Sequence, residues 1–178
     1  MPDRLVLIGM MGAGKTVVGA ALARRLHRPF VDLDAEIEAR LGRAVAEVFA
    51  SEGEPFFRAT ESTVLTEMLE CDDDVVLAAG GGVVLEEANR RALGRHATVV
   101  WLRARPDTLV TRVGRGAARP LLQGDDVESR VRALHDERRP LYETTADLVV
   151  DADDLSPAEI AEVVVERLGD RSPVRGTP

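Results

Sequence analysis

Gly9-Met10-Met11-Gly12-Ala13-Gly14-Lys15-Thr16 is the stretch that decides the fold, because it fits the pattern G-x-x-x-x-G-K-[ST] of a phosphate-binding loop. Its glycines allow successive backbone N–H groups to turn towards a phosphate with no side chain in the way. Lys15 could reach the β- and γ-phosphates of a nucleotide, and the Thr16 hydroxyl could bind Mg²⁺. The alternative is a tight strand-to-helix turn, but such a turn requires neither Lys nor Thr.

The residues on either side of this loop supply the context that the pattern needs. The apolar run at residues 5–8 predicts a buried strand, and Val18, Leu22 and Leu26 mark one face of the helix that should follow the loop. The N-terminus of that helix would add partial positive charge and free N–H donors at a phosphate. Strand, loop and helix in this order predict a nucleotide-binding P-loop.

The composition limits the classes of function. The chain has 178 residues, of which 45% are hydrophobic and 30% charged, as expected for one soluble domain with a full core. A net charge of −8 argues against a nucleic-acid partner. The one cysteine excludes an internal disulfide and favours a cytoplasmic location. No apolar run approaches the ~20 residues that cross a bilayer, so no membrane partner is expected. Since no long exposed apolar seam is evident, we expect a monomer.

Short apolar runs alternate with helical patterns along the chain. The runs cover residues 5–8, 30–33, 75–79, 98–102 and 148–150. This alternation predicts an α/β fold, in which a three-layer α/β/α sandwich surrounds a central five-stranded parallel sheet. Gly42 and Gly94 are expected to end helices. Such sheets bind ligands at the carboxyl ends of their strands, so the functional residues should lie there.

We predict a single domain over residues 1–170, with two segments that stand apart from the sheet. Residues 33–61 should form two or three short helices in place of one crossover helix, and we expect this insertion to bind the substrate. Residues 112–126 are rich in Gly, Ala and Arg, which suits a mobile lid. The capping box Ser156-Pro157-Ala158-Glu159 should begin the last helix, and the polar residues 171–178 predict a disordered tail.

Two aspartates, Asp32 and Asp34, flank Leu33 where the second strand is expected to end. Alternation along a strand would put both carboxylates on one side of the sheet. One could hold a metal-bound water, and the other could accept a hydrogen bond from a substrate hydroxyl. The alternative is that Asp34 only caps the next helix before Ala35. A neighbouring phosphate loop favours the functional interpretation.

Arg58 and Glu61 are three residues apart, so on a helix Glu61 could hold the guanidinium group in place. A plain surface ion pair is the alternative. The glycine triplet Gly80-Gly81-Gly82 follows the third strand, where its backbone could approach a ligand closely or could form only a tight turn. Its position at a strand end favours the ligand.

Further arginines are candidates for contacts with phosphates or with a nucleobase. Arg112, Arg115 and Arg119 fall in the predicted lid, which could bring a guanidinium group over the γ-phosphate as it closes. Solvated surface charge is the alternative for all three. Arg138 is expected near a helix end, where an arginine can merely complement the helix dipole.

The ordered set of these motifs resembles the shikimate kinase family over residues 4–168. The resemblance is carried by the phosphate loop, Asp32-x-Asp34, the block from Gly53-Glu54 to Phe57-Arg58, Gly80-Gly81-Gly82, Arg119-Pro120-Leu121-Leu122 and Arg138-x-Pro140-Leu141-Tyr142. It implies a nucleoside-monophosphate-kinase-like fold and transfer of the ATP γ-phosphate to the 3-hydroxyl of shikimate, on the pathway to the aromatic amino acids. ATP, shikimate and one Mg²⁺ ion are the ligands that it implies.

On the nucleotide side, the resemblance implies that the phosphates of ATP contact Gly12, Ala13, Gly14, Lys15, Thr16 and Val17. Lys15 would stabilise the transferred charge, and Arg119 would reach the phosphates from the lid. Thr16 would bind Mg²⁺, with Asp32 in the outer shell of the ion through water. Arg112 would stack on the adenine, and Pro157 falls in the loop that contacts this base.

On the acceptor side, the resemblance implies that Asp34 binds the reacting hydroxyl and acts as base or orienter. Arg58 and Arg138 would bind the shikimate carboxylate, a task that suits their planar, fork-shaped donors. The backbone of Gly80, Gly81 and Gly82 would contact the ring hydroxyls.

Two positions depart from the family pattern, and two rival functions stay open. Ala44 replaces the Ser or Thr that often begins a substrate-region helix, and Leu155 replaces a polar or basic residue of the adenine loop. One rival is a P-loop kinase for another hydroxylated acid such as gluconate, and the other is a non-catalytic nucleotide sensor or scaffold. The glycine triplet with Asp34 favours shikimate over gluconate, and a scaffold would need neither Asp34 nor the substrate arginines.

Overall fold

The computed structural model of the chain describes residues 4–71, 74–114 and 126–170. Within these ranges five parallel strands form one sheet in the order β2-β3-β1-β4-β5. The strands are β1 (Arg4–Ile8), β2 (Phe30–Asp32), β3 (Val75–Ala78), β4 (Thr98–Arg103) and β5 (Leu148–Asp151). The five-stranded parallel sheet expected from the alternating pattern is confirmed.

Eight α-helices lie in the described ranges and connect these strands. They are α1 (Lys15–Leu26), α2 (Leu33–Leu41), α3 (Val45–Ser51), α4 (Glu54–Glu70), α5 (Glu87–His96), α6 (Pro106–Val113), α7 (Val127–Thr145) and α8 (Pro157–Asp170), with a 3₁₀ turn at Val83–Leu85 before α5. Helices α1 and α8 pack against each other, whereas α4 and α7 both contact α5. The sheet is therefore covered by two groups of helices, as an α/β fold requires.

The central strand β1 explains why the phosphate loop lies in the middle of the molecule. Residues Leu5 to Ile8 are fully buried, because β1 pairs with β3 on one side and with β4 on the other. Gly9 follows β1 with a φ of 141°, and a β-carbon there would lie 2.6 Å from the carbonyl oxygen of Leu102. Both the positive φ and this close approach exclude a side chain at Gly9. The chain thus leaves the centre of the sheet directly into the loop.

The expected substrate-binding insertion consists of three helices, α2, α3 and α4. Gly42 ends α2 in a left-handed conformation, with a φ of 64°, as predicted. Ala44 begins α3 without a side-chain cap, but the Glu47 carboxylate accepts a hydrogen bond from the Ala44 N–H group at 3.0 Å. Half of a capping box therefore holds the start of this helix although Ser or Thr is missing.

The predicted ends of β2 and α5 are wrong. Strand β2 stops at Asp32, and Leu33 already begins α2, because the Asp32 carboxylate accepts hydrogen bonds from the N–H groups of Asp34 and Ala35. Gly94 does not end a helix, since α5 continues through it to His96, where the chain must extend into β4. By contrast, the Ser156–Glu159 capping box begins α8 as expected. Pro106 is the first residue of α6, where its fixed φ suits a helix start.

The predicted lid and tail fall largely on residues 115–125 and 171–178, which lie outside the described ranges. Helix α6 includes Arg112 and Val113, the first two residues of the predicted lid. None of the helices found in the described ranges is long and apolar enough to cross a membrane.

Candidate active site

A cavity of about 240 Å³ opens at the carboxyl edge of the sheet, beside the phosphate loop. Thirteen residues that the sequence singled out line it, namely Gly12, Gly14, Lys15, Thr16, Val17, Asp32, Asp34, Arg58, Glu61, Gly80, Gly81, Gly82 and Arg138. Ala13 is instead buried in the core, and Arg112 and Pro157 belong to neighbouring segments. Arg119 lies outside the described residues. The structure thus brings most of the candidate nucleotide and acceptor residues into one cavity.

The phosphate loop is closed by its own backbone and by one lysine. Gly12 and Gly14 have φ values of 82° and 93°, a conformation that side chains disfavour, and Gly14 caps the start of α1. The Lys15 ammonium group donates hydrogen bonds to the carbonyl oxygens of Gly9 at 2.8 Å and Met10 at 3.0 Å. Lys15 therefore lies across the loop, with its charge at the place where phosphates would bind.

Asp32 connects the phosphate loop with helix α2. One oxygen of its carboxylate caps α2, and the other accepts a hydrogen bond from the Thr16 hydroxyl at 2.7 Å. The expectation that strand alternation aligns Asp32 and Asp34 is wrong, because Asp34 lies in the first turn of α2. The alternative that Asp34 caps the helix is also wrong, since Asp32 is the cap. Both aspartates nevertheless line the cavity.

The pair of Thr16 and Asp32 suits a magnesium ion. Hydroxyl and carboxylate oxygens are hard donors, which Mg²⁺ prefers, and this ion commonly keeps waters and phosphate oxygens as further ligands. The described residues contain no cluster of three His, Cys, Asp or Glu that could hold a metal alone. An ion at Thr16 and Asp32 would take its remaining ligands from water and from the phosphates of a bound nucleotide.

Arg58 is held over the cavity by two acids and two aromatic rings. Its Nη1 lies 2.7 Å from Glu61 Oε2, and its Nη2 lies 3.0 Å from Glu54 Oε1. The guanidinium carbon lies 5.9 Å and 5.3 Å from the ring centroids of Phe49 and Phe57. The side chains of Arg58 and Glu61 are only 11% and 1% exposed, so the surface ion pair considered above is excluded.

Glu61 is the buried acid of this group. Burial raises the pKa of its carboxyl above the ordinary value of 4.5, against the opposing effect of the Arg58 charge, and the nearby Asp34 raises it further. Within the described chain, Oε1 of Glu61 is buried and has no hydrogen-bond partner. A buried carboxylate with one free oxygen beside Asp34 can accept a hydrogen bond from a polar ligand.

Arg138 reaches the cavity from the interior of α7. It was expected at a helix end, but α7 continues past Pro140 to Thr145, so a role limited to the helix dipole is excluded. Arg138 is only 2% exposed. Among the described residues, its Nε and Nη1 atoms lack hydrogen-bond partners. A buried cation with free donors that lines a cavity is suited to an anionic ligand.

The glycine triplet is required for space and not for an unusual backbone conformation. None of its three residues is among the glycines with a positive φ in the described chain. A β-carbon at Gly80 would collide with Glu61 and would lie 3.1 Å from Asp34 Oδ1. A β-carbon at Gly82 would overlap the guanidinium group of Arg58. The triplet therefore makes room for the charged side chains that line the cavity.

Arg112 links the phosphate loop with the loop that follows β5. Its guanidinium group donates hydrogen bonds to the carbonyl oxygens of Gly12 at 3.4 Å, Ala152 at 2.8 Å and Asp153 at 3.3 Å. The same loop continues through the exposed Leu155 to Pro157, the first residue of α8. Arg112 and Pro157 are thus connected by one loop beside the phosphate site.

Some lining residues were not recognised as functional from the sequence. Met11, Val45, Phe49, Phe57 and Ala79 complete the cavity with apolar surface. Phe49 and Phe57 pack with ring centroids 4.7 Å apart, across the short turn between α3 and α4. Only 3% of the residues are aromatic, so two phenylalanines close to Arg58 in the sequence are the signal that could have indicated this apolar wall.

Comparisons with known proteins find relatives over almost the whole chain. The family model described as shikimate kinase matches residues 11–169. A shikimate kinase from Symbiobacterium thermophilum is 46% identical over 169 residues, which cover 94% of this chain and 97% of that protein. One from Cereibacter sphaeroides is 45% identical, with 97% and 86% of the two chains covered. The solved shikimate kinase from Acinetobacter baumannii in complex with shikimate has a TM-score of 0.93 at 34% identity, with 97% and 96% covered.

Proposed function

Because the chain belongs to the shikimate kinase family, we propose that this cavity is the place where its two substrates meet. The reaction is the transfer of the γ-phosphate of ATP to the 3-hydroxyl of shikimate, a step in the biosynthesis of aromatic amino acids. Two observations from different parts of the chain support the proposal. A phosphate loop and a pair of buried arginines line one cavity of about 240 Å³.

Binding of the shikimate carboxylate is assigned to Arg58 and Arg138. The observation that carries this assignment is Arg138, whose buried Nε and Nη1 atoms have no hydrogen-bond partner in the described chain. A planar carboxylate can accept two parallel hydrogen bonds from such a group. The solved relative from Acinetobacter baumannii is a complex with shikimate. We infer that shikimate places its carboxylate at these arginines and its ring hydroxyls at the glycine triplet.

The chemical step is assigned to Asp34 and Lys15. Asp34 would accept a hydrogen bond from the 3-hydroxyl and would take its proton as the oxygen attacks the γ-phosphorus. The bond between that phosphorus and the bridging oxygen then breaks, and ADP leaves. Lys15 would neutralise charge on the transferred group. Arg119 would add a second cation from the lid.

We propose Mg²⁺ as the metal that accompanies ATP. Thr16 would bind the ion directly, and Asp32 would hold one of its waters, in keeping with the hydroxyl and carboxylate oxygens at this position. The ion would supply neutralisation of the β- and γ-phosphate charge. The protein residues orient the nucleotide so that the γ-phosphate faces the acceptor half of the cavity.

The adenine is assigned to the surface between Arg112 and Pro157. The planar guanidinium group suits stacking on a base, and the hydrogen bonds of Arg112 to the phosphate loop keep it near the nucleotide. We further propose one kinase domain over residues 1–170, with residues 33–61 for shikimate and residues 112–126 as lid. A monomer in the cytoplasm is proposed from the composition alone.

The experiment compares acceptors and arginine variants in an assay of ADP release. We expect turnover with shikimate and little or none with gluconate or with the methyl ester of shikimate, which lacks the negative charge. Arg138→Lys should raise the KM for shikimate, whereas Arg139→Lys should not, because Arg139 is exposed and pairs with Glu143. No ADP release with millimolar shikimate would overturn the activity. Equal KM values for the two arginine variants would overturn only the assignment of Arg138.

A further inference from the structure

Tyr142 is the largest fully buried side chain of the molecule's described part, and its hydroxyl group faces Gly81, which lines the candidate active site. It lies one turn after Arg138 on α7, so both residues share one helix face. Its ring stacks on Trp101 of β4, with centroids 5.7 Å apart and an angle of 24° between the rings. Its hydroxyl donates a hydrogen bond to the carbonyl oxygen of Gly81, the middle residue of the glycine triplet.

Gly81 lies between the phosphate loop and Arg138. A β-carbon built on it would lie 3.4 Å from the N atom of Met11 and 3.5 Å from the carbonyl oxygen of Gly9, both in the phosphate loop. It would lie 3.8 Å from Nη1 of Arg138. The backbone of Gly81 therefore fits between the donor loop and the arginine assigned to the acid, and the Tyr142 hydroxyl group holds it there.

The phenol is suited to this task because it stays protonated. Burial raises its pKa above the ordinary value of 10.0, and the charge and hydrogen bonding of Arg138 oppose that rise without reversing it. A neutral phenol can donate to Gly81 while its oxygen faces the guanidinium group. The Tyr142 hydroxyl group is thus coupled both to the Gly81 backbone and to Arg138, the two groups assigned to the substrate.

We propose that Tyr142 is a positioning residue for the acid substrate, which sets the backbone of Gly81 and the guanidinium group of Arg138 relative to the phosphate loop. This inference rests on the proposed assignment of Arg138 to the shikimate carboxylate. Tyr142 does not touch the substrate, and it acts through the two groups that do. Its loss should therefore weaken binding of shikimate selectively, with ATP little affected.

The test is Tyr142→Phe, which removes the hydroxyl group and keeps the stack on Trp101. We expect the KM for shikimate to rise about three- to tenfold, the range for one buried hydrogen bond, and the KM for ATP to change less than about twofold. Thr145→Val is the matched control, because it also removes a hydroxyl group from α7, one that donates to the Leu141 carbonyl oxygen within the same helix. A merely structural Tyr142 would lower the melting temperature and leave both KM values unchanged, and that result would overturn the inference.

A double-mutant cycle separates this inference from the assignment on which it rests. If Tyr142 acts through Arg138, Tyr142→Phe should raise the KM for shikimate much less in the Arg138→Lys background than in the wild type. Full additivity of the two effects would overturn the coupling. If the wild type turns over shikimate and Arg138→Lys leaves the KM for shikimate unchanged, the assignment of Arg138 is wrong. That conclusion does not depend on the result for Tyr142→Phe.

Discussion

Arg58 and Glu61 form a buried ion pair in which one carboxylate oxygen, 2.7 Å from the guanidinium group, orients the arginine and the other faces Gly80. The pair is held on consecutive turns of α4, so its geometry is set by the helix itself. Breaking such a pair by removing one partner is costly, because a buried charge is then left uncompensated. Glu61 therefore links the stability of the fold to the orientation of a residue assigned to the substrate.

Glu61→Gln tests the burial of this carboxyl through the pH dependence of stability. The pKa of Glu61 is raised in the folded state, so the folded protein binds this proton more tightly than the unfolded chain. The stabilisation is present below the ordinary pKa of 4.5 and is lost as the pH rises through the folded value. In urea unfolding from pH 4.5 to 8, the wild type should lose stability relative to the glutamine variant. Glu67→Gln, half exposed on the same helix, is the control. A constant difference would contradict the raised pKa.

Gly82→Ala should displace Arg58 without unfolding the protein. The added methyl group would overlap the guanidinium group, the far end of a flexible side chain, so the arginine must move while the backbone stays. We expect the KM for shikimate to rise about tenfold or more, as for the loss of hydrogen bonds to a charged group. Gly94→Ala is the control, since a β-carbon on this helical glycine would meet no described atom within 4 Å beyond its own helix backbone and chain neighbours. It should add about 0.5–1 kcal/mol of stability with unchanged kinetics. An unchanged KM in Gly82→Ala would show that Arg58 is not required.

The sheet and the phosphate loop could be predicted because their signals are local. Apolar runs at residues 5–8, 75–79 and 98–102 are continuous in the sequence, and each became a strand with shifted ends. The loop carries its own conformational requirements in Gly12 and Gly14. Such features depend on neighbours within a few residues, so a pattern along the chain is sufficient to find them.

The arrangement of charges around the cavity could not be predicted, because it depends on contacts between distant residues. Asp32 rather than Asp34 caps α2, since its carboxylate is shared between Thr16 and the helix. The sequence offers both aspartates as equal candidates. The contact of Tyr142 with Gly81 joins residues 61 positions apart, and no local pattern marks it. Tertiary contacts of this kind decide which polar residues become buried.

Asp34→Asn should separate binding from chemistry. The amide keeps the shape of the side chain but is a far weaker base, so turnover should fall about 10²- to 10⁴-fold, the range for loss of a general base. Binding of ATP should remain, because Asp34 lies in α2, outside the phosphate loop. Single-turnover phosphate transfer and equilibrium binding of ATP measure the two properties. Turnover within threefold of the wild type would exclude Asp34 as an essential base or orienter.

Arg112→Lys should weaken nucleotide binding alone. Lysine keeps the charge, but one ammonium group cannot replace a planar guanidinium group that bonds Gly12, Ala152 and Asp153 together. We expect the KM for ATP to rise about three- to tenfold, with the KM for shikimate unchanged. Arg132→Lys, an exposed arginine that pairs with Asp107 and Glu128, should change neither. An equal rise in both KM values would point to a general distortion of the sheet edge.

The two functions of Asp32 can be separated by comparing Asp32→Asn with Asp32→Ala. Asparagine is also a good helix cap, so its side-chain oxygen can still accept the N–H groups of Asp34 and Ala35, and stability should change little. Alanine removes the cap and should cost about 0.5–2 kcal/mol in urea unfolding.

Both variants lose the carboxylate charge next to Thr16, the position assigned to the magnesium ion. Both should therefore need more Mg²⁺ for half-maximal turnover, whereas only Asp32→Ala should unfold more readily. The comparison is decided by titrating Mg²⁺ at saturating ATP and shikimate. If Asp32→Asn matches the wild type in that titration, Asp32 serves the helix and not the metal.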